Sequence, residues 1–210
     1  MPNDNYHTRL FLIRHGDTVD EETKKVYKGS IDIPLSNKGI ARMEKVATFL
    51  SGYKLDVLYA SALSRSIESA RIIGSPHNLD ANKESGFNEL GFGKWEGLSF
   101  GEIDKEYPEL FPLWLKNPVL YTPPDGERLI DAQERIMSTL YKIVGTQRGR
   151  NVAIVSHAGM LKIIISTFLT LDLSNMYKVA QDYGCVDIID MYDNNRPVIK
   201  LLNYTVEMQV

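Results

Sequence analysis

Two histidines in this 210-residue chain sit where an imidazole could react: His15 closes Leu12-Ile13-Arg14-His15-Gly16, and His157 closes Val155-Ser156-His157-Ala158-Gly159. An imidazole titrates near neutral pH, so it can serve as nucleophile, proton carrier or metal ligand. A short apolar run that stops at glycine reads as a buried strand ending in a loop. In a parallel α/β sheet, ligands gather beyond the carboxyl ends of the strands. His15 and His157 are therefore expected to meet at one rim from distant positions. His7 and His77 follow no such run and are expected to be ordinary surface or core residues.

Two arginines are expected beside them. Arg14 precedes His15, and a third β-rich run, residues 56–60, leads through Ser61-Ala62-Leu63-Ser64 to Arg65. Guanidinium forks bind phosphate oxygens in pairs, so the natural guest of two arginines and two histidines is a phosphoryl group. The chain carries 24 basic and 27 acidic residues, a formal net charge of −3. That balance gives no general attraction to nucleic acid or to an anionic membrane, so any affinity for anions has to be local.

The elements that must position these residues follow from periodicity. Ser36 reads as the N-cap of a helix with Ile40, Met43, Val46, Ala47 and Leu50 on one face, ending at Gly52. Ser61 and Ser64 are expected to cap a second helix that runs to Gly74. Residues 128–144 place Leu129, Ala132, Ile136, Leu140 and Ile143 on one helical face, and the continuous apolar run 152–155 then precedes Gly159 and a further apolar helix. This alternation predicts an α/β three-layer sandwich, a mostly parallel central sheet with helices on both faces. Residues 185–192 and 198–204 flank Asp193, Asn194 and Asn195 and read as an antiparallel hairpin. Residues 90–126 have another texture, rich in aromatics and proline, and are expected to form a lid-like insertion in a single domain spanning 1–210.

Hydrophobic residues at 43% and charged residues at 24% fit a globular chain and exclude disordered and fibrous classes. No apolar run approaches the roughly 20 residues of a membrane-spanning helix, and the polar start of the chain offers no secretory segment. A single cysteine, Cys185, excludes an internal disulfide and any multi-cysteine metal site. A cytoplasmic location is expected. Gly91-Phe92-Gly93 lacks the third glycine of a dinucleotide-binding loop and is set aside.

Five motifs in order carry a family resemblance: Leu12-Ile13-Arg14-His15-Gly16-Asp17-Thr18; Asp32-Ile33-Pro34-Leu35-Ser36 with Gly39; Ser61-Ala62-Leu63-Ser64-Arg65 with Ala70; Glu89 ahead of Gly93-Lys94-Trp95-Glu96-Gly97; and Ser156-His157-Ala158-Gly159. The chain resembles the histidine phosphatase superfamily, with its phosphoglycerate-mutase-like fold. The resemblance implies His15 as the nucleophile that becomes phosphorylated, Arg14, Arg65 and His157 as the phosphate pocket, and Glu89 as proton donor. The chemistry is consistent with those roles. A neutral imidazole attacks phosphorus in line, and positioning with charge stabilisation does most of the catalysis. Two arginines and a protonated His157 would supply that charge, and Glu89 should lie where burial raises its pKa. No metal or cofactor is required. Thr18 is read either as a further donor to the phosphate or as a loop cap, and Glu96 either as a second acid or as a structural residue.

The sequence departs from the family pattern where Trp-Asn is common, since Val19, Asp20, Glu21 and Glu22 stand there; acids beside a phosphate pocket would repel substrate unless turned away. Ser66 and Glu68 replace the frequent Ala and Gln. The chain lacks the insertions and tail of the mutases, so a hydrolase of a small phosphomonoester is expected. Tyr27-Lys28-Gly29-Ser30-Ile31-Asp32 and Pro123-Pro124-Asp125-Gly126-Glu127 resemble alpha-ribazole phosphatases and related short phosphatases. Trp114 and Tyr121 would either stack on a flat base or pack the lid itself. Phosphoglycerate mutase, a metal-dependent phosphoesterase using His15 and Asp17, and a noncatalytic scaffold for a phosphorylated ligand stand as alternatives. The partner expected is a small-molecule substrate, with no nucleic acid and no membrane; homodimerisation is left open.

Overall fold

The structure, a computed structural model, describes residues 7–22 and 24–206; the polar stretch 1–6 at the start of the chain lies outside them. Strand β1 (Thr8–Arg14) explains why its apolar run is continuous and not alternating. Leu10 and Leu12 enter one buried cluster, Phe11 and Ile13 the other, and all four are fully buried. A strand covered on both faces has no solvent side to mark with polar residues. Each such side chain contributes roughly 1.5–3 kcal/mol on burial.

The six-stranded sheet has the order β3-β2-β4-β1-β5-β6. Strands β2 (Val57–Ala60), β3 (Ala81–Lys83) and β4 (Asn151–Ser156) run parallel with β1, while β5 (Val186–Tyr192) and β6 (Arg196–Tyr204) are antiparallel. In register, Arg9 lies opposite Asn151 and Arg14 opposite Ser156, so β1 and β4 end together. Helices α1 (Asn37–Leu50) and α2 (Ser64–Gly74) cover one face, where Met43, Val46, Leu50, Ala70 and Ile73 pack on Phe11 and Ile13. Helices α5 (Leu129–Thr146) and α6 (Ala158–Phe168) cover the other, against Leu10 and Leu12. The three-layer arrangement and the C-terminal hairpin are as the alternation predicts.

Between β3 and α5 the chain leaves the sheet and forms the short helices α3 (Phe100–Glu106) and α4 (Leu110–Lys116). Trp95, Phe111 and Trp114 are buried there, with Trp95 perpendicular to both neighbours at centroid distances of 5.2 and 5.3 Å. Edge-to-face rings of this kind stabilise the excursion, whose aromatics join the same buried cluster as Leu10 and Leu12. Trp114 is thus part of that packing, and neither it nor Tyr121 lines the cavity beside Arg14 and His15.

Ser36 caps α1 as expected, its hydroxyl accepting from the Gly39 amide at 3.1 Å. The second capping expectation needs correction. Leu63 occupies the N-cap of α2, and the carboxylate of Asp32 accepts from the Ser64 amide at 2.8 Å and from its hydroxyl at 2.6 Å. A charged acceptor from another loop replaces the local hydroxyls, which frees Ser61 for the site. Strand β3, three residues long, has no counterpart among the predicted elements.

Candidate active site

The ends of β1, β4 and β2 lie side by side, and each delivers a side chain to one rim. His15 leaves β1 as its amide donates to the Ser156 carbonyl (3.1 Å) and its carbonyl accepts from Gly184 (3.2 Å). Its Nδ1 lies 2.8 Å from the Gly16 carbonyl. A carbonyl only accepts, so Nδ1 carries the proton and Nε2 keeps a free lone pair. His15 is almost wholly buried, and its pKa is held well below the usual imidazole value, first by desolvation, then by His157, Arg14 and Arg65. It is a neutral base with a defined tautomer, the form that can attack phosphorus.

His157 occupies the N-cap position of α6, directly after β4, with its ring centroid 5.0 Å from that of His15. Arg65 Nε points at its Nδ1 at 3.3 Å, and its Nε2 lies 2.6 Å from Ser61 Oγ. Nδ1 therefore accepts and Nε2 donates. Desolvation, followed by Arg65, Arg14 and Arg135, pushes its pKa well below the ordinary value. The expected protonated His157 is thus corrected to a neutral donor in the ligand-free site, leaving the formal positive charge to the guanidinium groups. Ser66 Oγ, at 3.4 Å from the same Nε2, is a second hydroxyl beside it.

Arg65 is buried, 1% exposed, in a socket made by a loop. Its Nη1 donates to the Ile31 carbonyl (2.7 Å) and its Nη2 to the Gly29 carbonyl (3.0 Å), while desolvation lowers its pKa within a range where it stays charged. That loop is braced by Glu96, whose carboxylate accepts from the Ser30 amide (3.0 Å), the Ser30 hydroxyl (2.7 Å) and the Phe92 amide (3.0 Å). A Cβ on Gly29, which has φ +49°, would stand 2.1 Å from Glu96 Oε1. Glu96 does not line the cavity, and of its two readings the structural one holds.

Arg14 donates from Nη1 to the Gln181 carbonyl at 2.8 Å and lies over the Tyr183 ring, 3.5 Å from its centroid. Gln181 in turn donates from Nε2 to Asp187 (3.1 Å) and accepts from Cys185 Sγ (3.1 Å). Burial pushes the Asp187 carboxyl up to about 6 and the Cys185 thiol up to about 12. Both belong to the layer that backs Arg14, on the antiparallel side of the sheet.

Glu89 comes from the start of the excursion. Its carboxylate accepts from the Leu90 amide (3.0 Å) and from the Gly159 amide (3.4 Å) in the first turn of α6. A Cβ at Gly159 would come within 2.5 Å of Glu89 Oε1, so only glycine admits this approach. Glu89 is half-buried at the cavity wall, not enclosed. Its loop is held from behind by Arg135, which donates to the carbonyls of Gly86 (2.8 Å) and Asn88 (3.0 Å) and pairs both oxygens of Glu127 at 2.8 Å.

A cavity of about 290 Å³ joins these groups, lined by Arg14, His15, Arg65 and Glu89, with Tyr27, Phe92, Tyr177 and Tyr183 as its aromatic wall and Lys28 and Lys162 as further cations. His157 lies beneath it, fully buried. Thr18 is also fully buried, pairs its backbone with Leu35 and does not line the cavity; its hydroxyl has no hydrogen-bond partner among the described residues. Asp20 lies against Lys28 at 3.1 Å, and Asp17 pairs with Lys38 and Arg42, so these acids meet their own cations. The side chains of Glu21 and Glu22 lie outside the described residues. The pairing of Asp17 also turns it away from the metal-ligand part considered for it. Lys28, Lys162, Tyr183 and Gln181 were not among the expected site residues. A lone lysine inside the apolar run of α6 was the one visible signal.

Neutral imidazole, two fixed guanidiniums and a carboxylate around one cavity are the means of phosphoryl transfer through a histidine. The chain belongs to the histidine phosphatase superfamily (branch 1), whose family model matches residues 10–205, and it is a phosphatase of that class. It is 28% identical over 193 residues to phosphoserine phosphatase 1 of Hydrogenobacter thermophilus, covering 92% of this chain and 91% of that one. It is also 28% identical over 183 residues to the adenosylcobalamin/alpha-ribazole phosphatase of Escherichia coli, with 87% and 90% covered. The solved structure of Bacillus stearothermophilus YhfR superposes with a TM-score of 0.88 at 28% identity, covering 95% of this chain and 98% of that one.

Proposed function

We propose that the protein hydrolyses a small phosphomonoester through a phosphohistidine on His15. The observation that carries this is the locked tautomer: with Nδ1 bound to the Gly16 carbonyl, the His15 lone pair is on Nε2, in the cavity shared with Arg14, Arg65 and Glu89. Nε2 attacks phosphorus, the ester P–O bond breaks, and Glu89 gives its proton to the leaving oxygen. Glu89 then takes a proton from water as that water attacks the phosphohistidine, the P–N bond breaks, and inorganic phosphate leaves with His15 and protonated Glu89 restored. Arg14 and Arg65 hold the equatorial oxygens throughout, and His157 beneath them accepts from Arg65 at Nδ1 and donates from Nε2 to Ser61.

Alpha-ribazole 5'-phosphate is the candidate substrate that the short-phosphatase motifs and one relative favour, and the aromatic wall suits a flat base. Water as acceptor, rather than return of the phosphoryl group to a sugar acid, is the reading for a chain without the mutase insertions. Residues 90–126 act as a lid on the cavity, and a cytoplasmic setting agrees with one buried, unpaired cysteine.

Rapid quenching during turnover of a labelled phosphomonoester tests the reading. Acid-labile, alkali-stable label on His15 is expected, with turnover unaffected by a chelator. Label on another residue, or near-normal turnover of His15→Ala, would overturn it.

A further inference from the structure

Helix α6 is apolar almost throughout, with Met160, Leu161, Ile163, Ile164 and Ile165 all buried, yet Lys162 stands in its middle. The side chain of Lys162 lines the catalytic cavity beside Arg14, His15 and Glu89. Its ammonium donates to the Val179 carbonyl and makes no ion pair among the described residues. An ammonium has three donors, and only the one to Val179 has an acceptor among the described residues. Lys162 is half-buried, and a partly desolvated cation is stabilised by an acidic partner. Desolvation lowers the Lys162 pKa, as does Arg14, while Glu89, Asp182 and Cys185 act the other way.

The other charges at the site already have counterparts. Arg14 and Arg65 face the transferred phosphoryl group, and Lys28 meets Asp20. Glu89 is the acid nearest in function, and its carboxylate is already held by the Leu90 and Gly159 amides. Position on the helix says which part of the substrate Lys162 would meet. It stands three residues after Gly159, hence on the same face, and helical side chains lean toward the N-terminus. Gly159 is where the Glu89 carboxylate rests, so Lys162 lies on the side of the leaving oxygen.

We infer that Lys162 binds a carboxylate on the leaving part of the substrate, so that the preferred substrates are phosphorylated carboxylic acids. This rests on the phosphatase reading above for its naming of the leaving side, and it ranks alpha-ribazole 5'-phosphate, which has no such acid, behind them.

Substrate pairs that differ only in the carboxylate test it: O-phosphoserine against O-phosphoethanolamine, and 3-phosphoglycerate against glycerol 3-phosphate. The wild-type chain should favour the acid by at least about tenfold in kcat/KM, the size of one charge-assisted contact. Lys162→Met should bring that ratio close to one, mainly by raising KM for the acids, and Lys162→Arg should keep it. Calorimetric binding of the same pairs to His15→Ala, with and without Lys162→Met, reads the preference without turnover. An acid preference in binding but no label on His15 would sink the phosphohistidine and leave the lysine contact standing. Turnover with equal ratios in the wild type, or a ratio unchanged in Lys162→Met, would overturn the inference, and equal losses for both members of each pair would mean that Lys162 meets the phosphoryl group itself.

Discussion

The proposed nucleophile side and the proposed leaving-group side of this cavity are built by different means. On the first, His15, His157 and Arg65 follow strand ends, and main-chain carbonyls fix the tautomer of His15 and both terminal nitrogens of Arg65. On the second, Glu89 stands on a loop that enters the aromatic excursion, and its placement is borrowed from Arg135, Glu127 and the first turn of α6. Strand ends give rigidity that every substrate can use, whereas a braced loop can change with the leaving group while the transfer chemistry stays fixed.

The sharpest way to break that contrast is at Glu89. Glu89→Gln should slow phosphorylation by an alkyl phosphate by about 10²- to 10⁴-fold and affect p-nitrophenyl phosphate far less, because p-nitrophenolate leaves without a proton. Single-turnover measurement isolates this step; equal losses for both esters would make Glu89 a structural residue. On the other side, Arg65→Ala should cost roughly 2–4 kcal/mol of transition-state stabilisation for both esters alike. Lysine should restore only part of the rate, since it cannot reach the Gly29 and Ile31 carbonyls as a fork and still face the phosphoryl group. Full rescue would mean that a distant charge suffices.

Smaller effects sharpen the picture of the bracing. Glu127→Gln loosens the clamp without touching the cavity and should lower the alkyl phosphate rate by about tenfold, as a misplaced group does, while sparing p-nitrophenyl phosphate. A uniform loss would place the clamp in general stability. The smallest catalytic effect is expected behind Arg14, at Asp187, whose folded-state pKa is about 6. A raised carboxyl pKa means that the folded chain holds a proton that the unfolded chain has lost, so this group's contribution falls as pH rises from about 4 through 6. Asp187→Asn should therefore raise stability at pH 7.5 by roughly 1–3 kcal/mol in a denaturant titration, with the Asn203 amide still accepted. The two neutral histidines have the opposite sign. They make the fold less stable as pH drops below about 6.5, where the unfolded chain takes up protons that the folded one refuses.

The sequence made the sheet legible because its central strands are covered on both faces and so appear as unbroken apolar runs. The strand-end histidines were legible for the same reason, since a polar residue closing such a run is conspicuous. What escaped were contacts between loops. Ser61 looked like a cap because local capping is the commonest use of a serine before a helix; only the fold shows that Asp32 caps that helix instead and that Ser61 turns to His157. The charge of His157 escapes a sequence reading because desolvation and three neighbouring guanidiniums are properties of assembly. Glu96 had two readings until the Ser30 and Phe92 amides were seen to converge on it.

The placement of β1 has a consequence for how the chain comes to be folded. The strand that carries His15 precedes by a long stretch of chain its two neighbours in the sheet, which begin at Asn151 and Val186. It lies between them, so its backbone groups wait until both have left the ribosome. Pairing across so many residues is slow, because loop closure must precede any gain from the new contacts. During that interval a bare apolar segment is exposed to chaperones and to other nascent chains. Removing β5 and β6 should therefore yield aggregation during synthesis rather than a weaker enzyme.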